Sequence, residues 1–130
     1  MARFLAVDPG EIRIGLALSD PSETIARPLS VLRHHSRAAD ARAISRLAKE
    51  HGVTLILVGL PLDQEGRVGP QARRALRLVE ALRESTAVPI ETWDESGSTR
   101  AAAELGKGDQ DLDARAAAVI LQDFLNAAAR

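Results

Sequence analysis

The run "VTLILV", from Val53 to Val58, is the feature of this chain that most restricts its fold. A short, nearly unbroken apolar stretch rich in β-branched residues is typical of a strand that is covered on both faces. Such a strand lies in the middle of a parallel sheet, and that sheet needs helices on both of its faces. The run therefore predicts an α/β fold.

Three further strands are predicted before this run. Arg3 to Asp8 and Arg13 to Ser19 are expected to form a hairpin, because the Pro-Gly pair between them favours a turn. Thr24 to Leu32 continues as a third strand, and Pro28 within it indicates a sheet edge or a bulge. These three strands predict an antiparallel meander at the start of the chain.

Helices alternate with the remaining strands. Ser36 is expected to cap a helix that runs to about His51, and Pro70 suits the first turn of a second helix. A fifth strand is predicted at Val88 to Trp93, a short helix at Ser98 to Leu105, and a last, largely buried helix from Leu112 to about Ala128. The order predicts one domain over residues 1–130, with a five-stranded mixed sheet and helices on both faces.

Composition excludes several classes of protein. The 130 residues include no cysteine, so neither disulfides nor a thiolate zinc site is available. The sequence offers no apolar run of the roughly 18 residues that a membrane span needs, and we expect a cytoplasmic protein without membrane partners. The net charge is -1, so any site for a polyanion must come from local clusters of basic residues.

Two such clusters are present. One lies between predicted elements, and the other follows one predicted helix; their members are Arg33, His34, His35 and Arg37 in the first and Arg73, Arg74 and Arg77 in the second. The three histidines of the chain, His34, His35 and His51, show no metal-binding spacing and are expected at solvated positions.

Acidic residues are predicted at one edge of the sheet. Asp8 ends the first strand, Asp94 and Glu95 end the fifth, and the carboxyl ends of strands are where sites gather in α/β sheets. Asp113 shares one face of the last helix with apolar residues, and an inward carboxylate needs a partner. A shared Mg²⁺ or Mn²⁺ would be such a partner, and two such ions can support phosphodiester hydrolysis.

Each acid also has a simpler explanation. Asp8 before Pro-Gly can form a turn hydrogen bond, and the pair Asp94 and Glu95 can be a solvated strand end or a helix cap. Asp113, with two neighbouring aspartates, can complement the positive end of a helix. The coincidence of all three sites favours the metal.

Three stretches together resemble the YqgF/RuvX family. They are "VDPGEIRIGLALSD", similar to its opening D-x-G-x-x-R-x-G-x-A-x-S-D, "VGLPLDQEGRVGPQA", similar to its V-G-L-P-L loop, and "LDARAAAVILQDFL", similar to its closing helix. The match spans nearly the whole chain in order. The resemblance implies a ribonuclease H-like fold and a metal-binding catalytic set of Asp8, Glu95 or Asp94, and Asp113. The family is described as a pre-16S ribosomal RNA nuclease and was earlier proposed to resolve Holliday junctions.

The chain departs from the family pattern after the fifth strand. Where the family usually has D-E-R-L-T-T, this chain has "DESGST", so Ser96 replaces an arginine whose charge Arg100, one helical turn on, can supply. The usual basic residue before Arg13 is also replaced, by Ile12. These two departures therefore concern the expected activity rather than the expected fold.

The leading hypothesis is a nuclease that trims pre-16S ribosomal RNA, alone or in ribosomal particles, using Mg²⁺ or Mn²⁺. The expected backbone contacts are Arg13, Arg73, Arg74, Arg77 and Arg100. Alternatives are a ribosome-assembly RNA-binding factor with weak catalysis and a Holliday junction resolvase acting on branched DNA. A nucleotide-binding hairpin like that of actin-like ATPases is a further alternative, but one domain is too little for it. Both a monomer and a homodimer are compatible with the sequence.

Overall fold

The computed structural model of the protein describes residues 3–94 and 112–128. Within them it contains five strands and three helices. The strands are β1 (Phe4–Pro9), β2 (Arg13–Ser19), β3 (Ala26–Arg33), β4 (Leu55–Leu60) and β5 (Ile90–Asp94). The helices are α1 (Arg37–Glu50), α2 (Pro70–Ser85) and α3 (Leu112–Ala128). The short helix predicted at Ser98 to Leu105 falls outside the described residues.

The five strands form one mixed sheet in the order β3-β2-β1-β4-β5. The first three strands pair antiparallel as the predicted meander, whereas β4 runs parallel to both β1 and β5. Ile56, Leu57 and Val58 in β4 are fully buried, as expected for a strand covered on both faces. The central parallel strand predicted from the apolar run is thus confirmed.

β3 lies at the edge of the sheet, as Pro28 predicted. Pro28 pairs with Ala17, directly after an irregularity in register between Leu16 and Ala17. A proline cannot donate a hydrogen bond to a neighbouring strand, so an edge strand beside a bulge is where it is tolerated.

Helices cover both faces of the sheet. α1 and α2 share one apolar core with Leu5 and Val7 of β1, and α3 forms a second core with Ala6 on the opposite face. Because successive side chains of a strand point to opposite faces, this alternation fixes the face of each functional residue at the strand ends. We call these the α1/α2 face and the α3 face. Within the described residues, no helix is long and apolar enough to cross a membrane.

The starts of α1 and α2 follow the predicted capping. The Ser36 hydroxyl accepts a hydrogen bond from the Ala39 backbone N–H at 3.1 Å, and Pro70 occupies the first helical position of α2. β3 and β4 both run parallel to β1, so each helix begins at the sheet edge where β1 ends. The amino ends of α1 and α2 therefore lie on the same side of the molecule as Asp8.

The turn between β2 and β3 is held by Asp20. The Ser22 hydroxyl donates to its carboxylate, as do the backbone N–H groups of Ile25 at 3.0 Å and Thr24 at 2.9 Å. These hydrogen bonds, that of Ser22 first, hold the pKa of Asp20 far below its usual range, because they favour the charged form.

Candidate active site

Asp8 lies on the α3 face at the carboxyl end of β1. Val7 packs in the α1/α2 core and Ala6 in the α3 core, so alternation along the strand directs Asp8 to the α3 face. Asp8 is partly buried, and its register partner in β2 is Gly15. The predicted candidate ligand thus lies at the edge where the sheet meets α3.

Gly15 allows the first turn of α3 to approach this point. A Cβ atom built on Gly15 would lie 1.8 Å from the backbone oxygen of Asp113 and 2.3 Å from its carbonyl carbon. Only a residue without a side chain fits here, because the α3 backbone passes directly over the strand. Since Gly15 pairs with Asp8, Asp8 and Asp113 come together on one face, as the metal-site hypothesis requires.

Asp113 has a protein partner in the structure. The Arg13 Nε donates a hydrogen bond to the Asp113 Oδ2 at 3.0 Å, and the two side chains are 50% and 30% exposed. Ala117 and Ile120, on the same face of α3, are buried in the core. Asp113 therefore lies at the rim of the buried face, and Arg13, expected to contact nucleic acid, is adjacent to a candidate ligand.

Replacing Arg13 by glutamine should change the free energy of unfolding by less than about 1 kcal/mol. The ion pair with Asp113 is solvent-exposed, and pairs of this kind add little stability because water screens them. Urea unfolding of the variant and the wild type measures the difference. A loss of several kcal/mol would show that Arg13 serves the fold rather than the site.

Of the two acids predicted at the end of the fifth strand, the structure describes Asp94. Asp94 pairs with Leu60, which packs against the α1/α2 core, whereas Trp93 pairs with Gly59 and packs in the α3 core. Asp94 is thus exposed on the α1/α2 face, opposite to Asp8. Glu95 and Arg100, the other candidates from this region, lie outside the described residues.

Trp93 takes part in packing. Its ring meets the edge of Phe124 with centroids 5.4 Å apart, and Phe124 meets Phe4 in the same way at 5.7 Å. These edge-to-face contacts pack α3 against β1 and β5.

The described residues bring two candidate metal ligands to one face of the sheet. In the ranges 3–94 and 112–128, no three His, Asp or Glu side chains converge on one point. Asp8 and Asp113 contribute carboxylate oxygens, which are the ligands that Mg²⁺ and Mn²⁺ prefer. Their placement on one face fits the binding of a divalent cation, and a further acid would complete the set of ligands.

Arginines form a pocket at the amino ends of α1 and α2. Arg73, Arg74 and Arg77, predicted on one helix, are joined by Arg37 from the first residue of α1. Together with Pro70 they line a cavity of about 460 Å³, which we call the arginine pocket. Arg74 has an acid nearby, with its Nη2 3.8 Å from the Glu11 Oε1. Four guanidinium groups around one cavity favour the binding of phosphate.

The buried Asp40 side chain binds the connection between β3 and α1, just before Arg37. Asp40 is 4% exposed, and its Oδ2 lies 2.5 Å from the Nδ1 of His34. Its Oδ1 accepts a hydrogen bond from the backbone N–H of His35 at 3.0 Å. His34 and His35 are exposed, as predicted from the sequence, but their contacts with Asp40 were not predicted. The sequence signal was an acid in the first turn of a helix preceded by two histidines.

Comparison with known proteins identifies the family. The family model described as "RuvX: Holliday junction resolvase" matches residues 2–127. The chain belongs to the RuvX family. A relative from Anaeromyxobacter sp. (strain Fw109-5) is 45% identical, covering 95% of this chain and 96% of the relative. One from Desulforamulus reducens is 38% identical over 98% and 99%. Both are named "Putative pre-16S rRNA nuclease", so this RuvX-family chain belongs among nucleases.

Solved structures confirm the ribonuclease H-like fold. RuvC from T. thermophilus, in complex with a Holliday junction substrate, superposes with a TM-score of 0.63 at 14% identity, covering 99% of this chain and 96% of RuvC. The fowlpox virus Holliday junction resolvase gives a TM-score of 0.56 at 11% identity, covering 96% and 99%. At such low identity these likenesses concern the fold alone, which matches the expected α/β class.

Proposed function

We propose that the protein is a metal-dependent nuclease that hydrolyses phosphodiester bonds of structured RNA during maturation of pre-16S ribosomal RNA in the cytoplasm. The observation that carries the proposal is the contact between Gly15 and the first turn of α3, which brings Asp8 and Asp113 to one face. The names of relatives at 45% and 38% identity favour ribosomal RNA over branched DNA as the substrate.

Asp8, Asp113 and Glu95 are the residues that would hold Mg²⁺ or Mn²⁺. Bound there, the ions would activate water and stabilise the leaving oxygen of the cleaved bond. The alternation along β5 supports Glu95 over Asp94 as the third acid, because Asp94 belongs to the α1/α2 face. The Arg13 Nε donates to the Asp113 Oδ2 at 3.0 Å, so Arg13 would orient this carboxylate and contact a substrate phosphate beside it.

The arginine pocket would hold the backbone of the RNA beside the cleaved bond. Its four guanidinium groups lie at the same edge of the sheet as Asp8 but belong to the helices of the other face. Contacts of this kind position a nucleic acid without reading its sequence. Arg100 joins this set as an expected backbone contact.

The test is cleavage of an end-labelled ribosomal RNA precursor beside a four-way DNA junction, in Mg²⁺ or Mn²⁺ and again after chelation with EDTA. We expect the RNA to be cut, and removal of the metal to reduce cleavage to background. The cation would both offset the repulsion between the carboxylates and the phosphate and activate the attacking water. Re-addition of Mn²⁺ should restore the activity.

Each contrary outcome has a distinct meaning. Cleavage of the DNA junction alone would assign the protein to junction resolution. Cleavage that persists in EDTA would contradict the metal dependence. RNA binding without cleavage of either substrate would favour an assembly factor, with "DESGST" as the reason for the weak catalysis.

A further inference from the structure

A second cavity lies at the opposite end of the α1 and α2 pair. Its volume is about 610 Å³, and it is lined by the last turns of α1, by the connection to β4 and by the segment that leads from α2 into β5. β4 and β5 both start at this edge and end at the edge where Asp8 lies. The cavity is therefore separate from the arginine pocket and from the candidate active site. We call it the distal cavity.

Three cations line the distal cavity from α1. Arg42, Arg46 and Lys49 are spaced four and three residues apart, so they project from one side of the helix. All three are exposed, and none forms an ion pair with another described residue. Their charges are therefore available to a ligand. We call them the α1 cation row.

The remaining lining of the distal cavity leaves this charge uncompensated. Ala48, Val53 and Val88 give an apolar floor, and no acidic side chain is among the lining residues. The net charge of the chain is -1, so the excess of positive charge here is local and does not reflect overall composition. A local cluster of this kind attracts a polyanion even when the whole molecule does not.

α1 joins the distal cavity to the arginine pocket. Arg37 at its first residue lines the arginine pocket, and Lys49 near its last residue lines the distal cavity. At 1.5 Å per residue the two positions are about 18 Å apart along the helix axis. Basic side chains thus follow one helix from the edge of the candidate active site to the other edge of the sheet.

We propose that the distal cavity and the α1 cation row form a second RNA-contact site, which binds the phosphodiester backbone of the same RNA that is cut at the far edge. The inference rests on the proposed function for the identity of the polyanion. Guanidinium groups pair with phosphate in bidentate geometry, and the cavity has no aromatic side chain on which a base would stack. Backbone contact is therefore favoured over base recognition.

A length requirement for the substrate follows. The two sites lie about 18 Å apart along the helix axis, so an RNA must extend over several nucleotides to contact both. An RNA shorter than this reaches only one of the two sites. The second site therefore predicts a preference for long or structured RNA over short oligonucleotides.

The experiment compares two double variants for binding to RNA at several salt concentrations. Arg42→Gln/Arg46→Gln removes two members of the row, and Arg27→Gln/Arg83→Gln removes the same charge from exposed positions that line neither cavity. Both are made in the Asp8→Asn chain with Mg²⁺ present, so that RNA stays intact. Circular dichroism confirms that each variant is folded.

The row variant should weaken binding of a 20-nucleotide RNA hairpin and lower the slope of log K against log salt by about 1.4 to 1.8, since each lost phosphate contact removes about 0.7 to 0.9. The control pair should leave the hairpin slope unchanged, because neither of its arginines lines a cavity. An unchanged slope for the row variant overturns the proposal, as does an equal fall in slope for the control pair.

Two further outcomes keep this inference distinct from the proposed function. With Asp8 intact, the row variant should raise the KM for a long RNA and keep kcat, whereas failure of the wild type to cut RNA would contradict only the proposed function. If the row variant binds the hairpin normally but loses binding of a poly-glutamate peptide, the cavity belongs to an acidic protein partner, and the RNA proposal is wrong.

Discussion

Replacing Asp8 by asparagine should reduce RNA cleavage by about 10³-fold or more. The substitution keeps the size of the side chain but removes a negative charge from the residue that ends β1 beside the start of α3. Loss of a cation that is worth several kcal/mol in the transition state corresponds to a factor of this size. Single-turnover cleavage of a labelled precursor RNA in saturating Mn²⁺ measures the effect.

Asp94→Asn is the matched control for this prediction. It makes the same chemical change at the end of β5, but Asp94 belongs to the α1/α2 face, as its register partner Leu60 shows. We expect it to keep cleavage within a few fold of the wild type, and both variants to keep the wild-type Tm. Equal losses for Asp8→Asn and Asp94→Asn would contradict the assignment of the site to the α3 face.

The order of elements was predictable because each depends on local patterns. The apolar run predicted the central strand, yet β4 begins at Leu55 rather than Val53. The backbone N–H of Val53 donates to the Ala48 carbonyl at 2.8 Å, and that of Thr54 to the Arg3 carbonyl. These bonds connect α1 to the sheet before strand pairing starts. Such a boundary depends on tertiary contacts that hydropathy does not report.

The candidate site was predictable only in part, for the same reason. Asp8 followed from its place at the end of a buried strand, and the face it occupies follows from the period of two along β1. The pairing of Arg13 with Asp113 joins residues 100 positions apart, and no local sequence pattern predicts it. The same holds for Arg37, which reaches the arginines of α2 only because both helices start at one edge of the sheet.

Replacing Gly15 by alanine should destabilise the protein by about 1 to 3 kcal/mol and reduce cleavage together with it. The added Cβ would lie 1.8 Å from the Asp113 backbone oxygen, so α3 must move away from β2. Overpacking of this kind typically costs this much, although alanine is ordinarily better than glycine inside a strand. Urea unfolding and cleavage assays measure the two effects.

Gly69→Ser supplies the control, since a Cβ there meets no atom within 4 Å and the residue caps α2 without a side-chain hydrogen bond. It should be neutral or stabilise by a few tenths of a kcal/mol, because serine can cap the exposed N–H groups of the first turn. If Gly15→Ala were as stable and as active as the wild type, the first turn of α3 would not rest on Gly15. That result would also contradict the proximity of Asp8 and Asp113, on which the proposed site depends.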